Sequence, residues 1–176
     1  DVWGTEPFTL GLWVGGSVTP NRTEDSHDAI EKERDNRRDT GSTPAQLTSC
    51  PWCGSTINPG RDITVEQYPG SARTFIYCSD KYGRCEFSKA QYPELGLPVV
   101  VVDEEIYRRP PTMLIATVDK FAMMAWRGET RTLFGAATLE CPRHGLLWPG
   151  SPCQGNHRAE RGKPATRVKV ISPLRP

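Results

Sequence analysis

Short unbroken apolar runs set the hydrophobic pattern of this chain. "PFTLGLWVGG", Pro7 to Gly16, is rich in strand formers and closed by a glycine pair, which predicts a buried strand ending in a tight turn. The charged stretch from Asp25 to Arg38 has only Ala29 and Ile30 as apolar residues. It reads as a short solvated helix, or equally as a flexible linker. "DITVEQY" and "RTFIYCS", separated by "PGSA", form a hairpin pattern with its turn signal in place. "LPVVVVDEEIYRRPPTMLIATVDKFAMMAW", Leu97 to Trp126, predicts a buried strand, a loop, a second apolar strand at Met113 to Ala116 and a helix from Val118. Continuous apolar strands alternating with a helix are the pattern of a parallel sheet in an α/β domain. "TRVKVIS" predicts a last short strand.

Composition narrows the picture. Hydrophobic residues make up 36% of the 176, while Gly and Pro number 16 each, so the core is modest and loops are many. The net charge of +1 supplies no global field for nucleic acid, and any such contact must come from a local cluster. No apolar run approaches the roughly 20 residues that span a bilayer. "DVWGTEPF" lacks the regions of a signal peptide, so the expectation is a cytoplasmic protein with reduced thiols and no membrane partner.

The six cysteines carry the candidate chemistry. "LTSCPWCGST" offers Cys50 and Cys53 either as a redox pair or as one knuckle of a zinc site. A redox pair needs a helix N-terminus to lower the thiol pKa, and "GSTINPGRD" after Cys53 has no helical periodicity. The zinc reading explains more: Gly54 permits a tight turn, and a second pair, Cys78 and Cys85 in "YCSDKYGRCEF", lies beyond a hairpin. Two pairs on two turns make a four-cysteine zinc-ribbon site, closed to solvent ligands and structural in role. The six residues between Cys78 and Cys85 exceed the usual roughly two to four. "CPRHGLLWPGSPCQGNH" adds Cys141, His144, Cys153 and His157 as candidate ligands of a second zinc, with an ordinary surface loop as the alternative. His27 stands alone in charged sequence and reads as a solvated side chain.

"VVVVDEEI" has the look of a strand ending in Asp103 and Glu104 that would hold Mg²⁺ in an ATPase. That role requires an upstream phosphate loop of the form G-x-x-x-x-G-K-[ST], and "GLWVGGSVTP" has no Gly-Lys. A complete ATPase is therefore not expected from this chain alone.

"PFTLGLWVGGSVTPN", "QLTSCPWCGS" and above all "LPVVVVDEEIYRRPPTMLIATVDKFAMMAWRGETRTLFG" resemble the large helicase-like proteins of bacterial DISARM phage-defence systems and their superfamily 2 helicase relatives. "SPLRP" resembles the run just upstream of the acid box in those proteins. The resemblance implies a segment of the first RecA-like lobe, an α/β fold with a partial parallel sheet, an inserted zinc-ribbon β-hairpin and a loop-rich C-terminal Cys/His region. It lacks the Walker A loop, the acid box and the second lobe, so ATP and Mg²⁺ would belong to the full-length protein. It also implies that "IATVDKFA" grips a DNA backbone through Thr117, with Asp119 capping the helix start and Lys120 adding charge. "VGGSVTPN" would be an earlier backbone-contacting motif, with Gly15, Gly16 and Thr19 nearest the strand.

The implied organisation is 1–46, first strand, turn and charged helix or linker; 47–90, zinc ribbon; 91–135, strand-loop-strand-helix; and 136–176, the Cys/His region. Near the ribbon, Trp52, Tyr77, Lys81, Tyr82 and Arg84 suit either stacking and phosphate contact or the packing of a small metal-stapled module. Partners on this reading are DNA, single-stranded or at a duplex junction, and a partner subunit of a defence complex. Two other functions compete: a stand-alone zinc-stapled adaptor that binds nucleic acid or protein, and a dithiol oxidoreductase built on Cys50 and Cys53.

Overall fold

The computed structural model describes residues 7–37, 41–68, 71–159 and 164–172. The expected helix end at Arg38, the turn residues 69 and 70, and the C-terminal run from Pro173 lie outside the described residues. In chain order the elements are β1 (Leu10–Trp13), α1 (Thr23–Arg34), α2 (Pro59–Asp62), β2 (Ile63–Tyr68), β3 (Ser71–Ile76), β4 (Val99–Val100), α3 (Asp103–Arg108), β5 (Met113–Ala116), α4 (Val118–Met123), β6 (Leu139–Cys141), β7 (Gly145–Leu147) and β8 (Lys169–Val170). Two 3₁₀ segments, Met124–Trp126 and Gly128–Phe134, follow α4.

The fold is mixed α/β. Its centre is a three-stranded parallel sheet in the order β4-β1-β5, as the apolar runs require. Leu10 lies beside Val99 and Met113, and Trp13 lies beside Ala116. Alternation along the strands sends Trp13, Leu114 and Ala116 to one face, against Ile106 and Tyr107 of α3. Leu12 points to the other face and joins the larger core of Ile30, Ile63, Ile76, Val101 and Val102. Burying each of these aliphatic side chains is worth about 1.5–3 kcal/mol.

β4 stops after two residues although the valine run continues. Val101 and Val102 stay buried, but the chain turns there because the N–H groups of Asp103 and Glu104 donate to the carbonyls of Pro20 and Asn21 at 3.2 and 3.1 Å.

The charged stretch forms α1, shifted a few residues earlier than expected. The Asp25 carboxylate accepts the Arg22 N–H at 3.2 Å, and Glu104 accepts both the N–H and the hydroxyl of Thr23 at 3.2 and 3.0 Å. Its inner face, Thr23, Ser26 and Ile30, is buried, and Ser26 and Thr74 share a hydroxyl hydrogen bond of 2.8 Å. The antiparallel pair β2–β3 is the expected hairpin, with Ile63 opposite Ile76. Past Ala136 the chain is more ordered than its Gly/Pro content suggests: β7, β6 and β8 make a second antiparallel sheet of three very short strands.

Candidate metal centres and nucleic-acid interface

The first cluster is assembled by the hairpin. Cys50 and Cys53 precede it, Cys78 and Cys85 follow it, and the four sulfurs all lie within 4.8 Å of one another. Cys53 Sγ is 3.3 Å from Cys78 Sγ, and Cys50 Sγ is 3.9 Å from Cys85 Sγ. Sulfurs on a tetrahedral zinc with bonds of about 2.3 Å would stand about 3.8 Å apart. The donor set and its spacing therefore fit such an ion. Cys50, Cys78 and Cys85 also belong to the larger core, beside Ile30, Leu97 and Val101, so the site is continuous with the α/β unit.

Each knuckle has its own local cause. Around Cys50 the N–H of Gly54 donates to the Cys50 carbonyl at 2.9 Å, and Gly54 takes φ +77°. The N–H that reaches a sulfur in the second knuckle belongs to Asp80, at 3.3 Å from Cys78 Sγ. The Asp80 carboxylate then accepts the backbone N–H groups of Tyr82, Arg84 and Cys85 at 3.2, 2.7 and 2.9 Å. Those bonds hold its pKa below the usual carboxylate value, and they fold the long Cys78–Cys85 loop into a compact turn. Spacing alone gives no place to Asp80; an aspartate at the head of a turn is the signal that points to it.

Within the cluster, hydrogen bonds from Ser55 bring the exposed Cys53 thiol down to about 6, whereas burial pushes the thiols of Cys78 and Cys85 up. No helix begins at Cys50 or Cys53; the single turn α2 starts only at Pro59.

The second cluster is built on the C-terminal sheet. Cys141 ends β6, the chain turns through Arg143 and His144, and Gly145 pairs back with Cys141. Cys153 and His157 approach from the following loop, whose end is tied to Thr166 by two backbone hydrogen bonds of 2.9 and 3.0 Å. His157 Nε2 stands 3.3 Å from both Cys141 Sγ and Cys153 Sγ, and the rings of His144 and His157 meet edge to face at 4.6 Å. All four donor atoms lie within 4.8 Å of one another, so this cluster too can hold a metal ion. Burial lowers the pKa of His144 to about 4, which keeps the imidazole in the neutral form that ligates metals. Gly155 donates its N–H to Cys153 Sγ at 3.2 Å.

The expected backbone-contacting loops meet at one edge. "VGGSVTPN" leaves the carboxyl end of β1 and "IATVDKFA" contains β5 and the turn after it. Because the two strands are parallel neighbours, the Thr117 N–H donates to the Trp13 carbonyl at 3.2 Å and the loops lie side by side. Gly16 and Thr117 are exposed there and Gly15 is partly exposed, whereas Thr19 is fully buried beneath the turn that the Gly15 carbonyl closes with Val18 and Thr19. Asp119 is exposed at the second position of α4, where a hydrogen bond from Thr117 lowers its pKa. Lys120 does not point freely into solvent: its ammonium bonds Asp103 Oδ2 at 2.5 Å and Asn21 Oδ1 at 3.3 Å.

Near the first cluster the aromatic and basic residues divide. Tyr77 is buried, its hydroxyl donating to the Pro93 carbonyl at 2.6 Å. Trp52 and Tyr82 are exposed, and the Arg84 guanidinium lies over the Tyr82 ring at 4.7 Å. Lys81 is exposed on the same loop, and His27 sits on α1, 3.5 Å from Asp28. Asp103 and Glu104, the acid pair that mimics an ATPase strand end, are both engaged inside the chain, Glu104 by Arg108 at 3.0 Å as well as by Thr23.

These features define a parallel-sheet α/β unit with one four-cysteine cluster and one Cys/His cluster, each able to hold a metal ion. Over its whole length the chain is 32% identical to DISARM protein DrmA of Bacillus paralicheniformis, in an alignment of 183 residues that takes in 100% of this chain and 15% of that protein. The chain thus spans a small part of that relative. No protein-family model matches it. Among the described residues no helix is long and apolar enough to cross a membrane.

Proposed function

We propose that this chain is a segment of the first RecA-like lobe of a DISARM-related superfamily 2 DNA helicase or translocase, working in the cytoplasm in phage defence. It contributes backbone contacts to a DNA strand and holds two structural zinc ions. It does not hydrolyse ATP by itself; ATP and Mg²⁺ act in the full-length protein. The observation that carries this reading is the adjacency of the loops after β1 and β5 at one carboxyl edge of the parallel sheet. In open α/β sheets that edge is where ligands bind.

On this reading Gly15 and Gly16 let the backbone approach the phosphates, and the exposed Thr117 hydroxyl bonds a phosphate oxygen. Thr19 supports the turn from below. Arg84, stacked on Tyr82 beside the four-cysteine site, adds a further phosphate contact. The exposed Trp52 offers either a base-stacking surface or a face for a partner subunit. Further support comes from the sheet itself. Phe8, Leu10, Met113 and Ile115 are exposed, and such an apolar face suits a sheet that continues into a larger lobe.

The test is salt-dependent binding of single-stranded DNA by the zinc-loaded chain. Log affinity should fall linearly with log salt, with about 0.7 of slope per phosphate neutralised, and Arg84→Ala should remove about one such increment. A chain that binds a protein partner but no DNA would replace this reading by the adaptor. Turnover of a disulfide substrate by Cys50 and Cys53 would replace it by the oxidoreductase.

A further inference from the structure

Resting on that reading, we propose that Lys120 and Asp103 are a positioning pair: their contact locks the two strand-contacting loops together, and Lys120 is not itself a phosphate ligand. Asp103 is 1% exposed and the Lys120 side chain 12%, so the 2.5 Å contact between them is shielded from water and weakly screened by salt. Around it three elements converge. Asp103 opens α3, its N–H held by the Pro20 carbonyl at 3.2 Å, and Lys120 lies in α4 directly after Thr117 and the β5 turn. Asn21, at the end of the loop after β1, accepts a second bond from the ammonium at 3.3 Å.

The head group of Lys120 also faces an aromatic ring. Its ammonium lies 5.9 Å from the centre of the Trp13 ring, and Phe121 meets the same ring edge to face at 6.1 Å. The Asn21 side chain folds back over Gly16, where a Cβ would stand 2.6 Å from Asn21 Nδ2. A side chain at 16 would push the Asn21 amide away from this arrangement. Burial pushes the Asp103 carboxyl up, and Lys120 opposes that push more than Trp13 or Arg127 does. A lysine so engaged would have to abandon a buried anion to reach DNA.

The two roles of Lys120 predict opposite signs for Asp103→Asn. If Lys120 is a phosphate ligand, removing its competitor frees it and tightens DNA binding, and Lys120→Met lowers the salt slope by about 0.7. If the pair positions the loops, Asp103→Asn and Lys120→Met each weaken binding about tenfold, the loss of one charge-assisted bond, with the salt slope unchanged. Lys120→Arg should then recover most of the affinity.

Hydrogen exchange gives a readout independent of DNA. In Asp103→Asn the amides of residues 15–19 and 117–121 should exchange faster, while those of β2 and β3 keep their protection. Asn21→Ala, an exposed change that cuts only one arm, should speed exchange in residues 15–19 alone and covers the case in which the other variants fail to fold. Tighter DNA binding in Asp103→Asn, or unchanged loop exchange in folded Asp103→Asn and Asn21→Ala, overturns the proposal. Faster loop exchange in a chain that binds no DNA would uphold the pair and remove the nucleic-acid reading instead.

Discussion

Glu105 of α3 accepts the backbone N–H of Thr74 in β3 at 2.7 Å, a bond that joins the helix beside the parallel sheet to the hairpin that assembles the first metal cluster. The carboxyl is buried, and desolvation raises its pKa from 4.5 to about 7. Since the folded state holds this proton more tightly than the unfolded state, the stabilising contribution is complete below about pH 4.5. It is lost as pH rises towards 7.

Glu105→Gln should therefore flatten this part of the stability profile. The stability difference between wild type and variant should change by about 3 kcal/mol between pH 4.5 and 7.5, with the variant gaining on the wild type at the upper end. Urea unfolding of both proteins across that range checks it, and parallel profiles would remove Glu105 as the source.

Metal content follows from the two donor sets. Protein purified without added zinc should carry two ions per chain; Cys50→Ser should lose one and Cys141→Ser the other. Elemental analysis reads this directly. One ion lost only with Cys50→Ser would reduce the C-terminal cluster to an ordinary loop.

The carboxylate of Asp80 organises the second knuckle through three backbone bonds, so Asp80→Ala should weaken metal binding at the four-cysteine site by about 10–100-fold. Competition with a chromophoric chelator, carried out in Cys141→Ser to leave one site, measures the change. Equal affinity would mean that the long loop is shaped by something other than Asp80.

Two glycines make a controlled pair. Gly54 and Gly145 have similar positive φ, +77° and +88°, yet a Cβ at Gly54 meets nothing within 4 Å while one at Gly145 collides with the Arg108 carbonyl. Gly54→Ala should cost about 1–2 kcal/mol from backbone conformation alone, and Gly145→Ala about 1–3 kcal/mol more from forced overpacking. Denaturant midpoints decide, and equal costs would show that the C-terminal sheet does not press on α3.

What the sequence revealed, and what it hid, follows range of interaction. The apolar runs of Leu10–Trp13, Val99–Val100 and Met113–Ala116 announced a parallel sheet, because such strands carry apolar side chains on both faces, although Leu10, Met113 and Ile115 lie exposed on one of them. The cysteine pairs were legible because ligand spacing is local. β6 and β7 were hidden because three-residue strands flanked by Pro142 and Pro149 carry no periodicity. The helix from Val118 is shorter than its composition suggested. It gives way to 3₁₀ turns at Met124, where the Thr130 hydroxyl bonds the carbonyls of Met124 and Arg127 at 3.0 and 2.6 Å. The engagement of Lys120 by Asp103 was invisible for a different reason: it depends on how α3 and α4 pack, and no spacing encodes that.

Whether a DNA strand lies along the carboxyl edge of the parallel sheet is decided by photocrosslinking of single-stranded DNA to the zinc-loaded chain, with a benzophenone amino acid placed singly at Ser17, Thr117 and Trp52. Crosslinks from Ser17 and Thr117 that disappear together at high salt are the expected result, since those positions lie on the paired loops after β1 and β5. Crosslinks from Trp52 alone, or none from either loop while DNA remains bound, would contradict the assignment of the strand to that edge of the sheet.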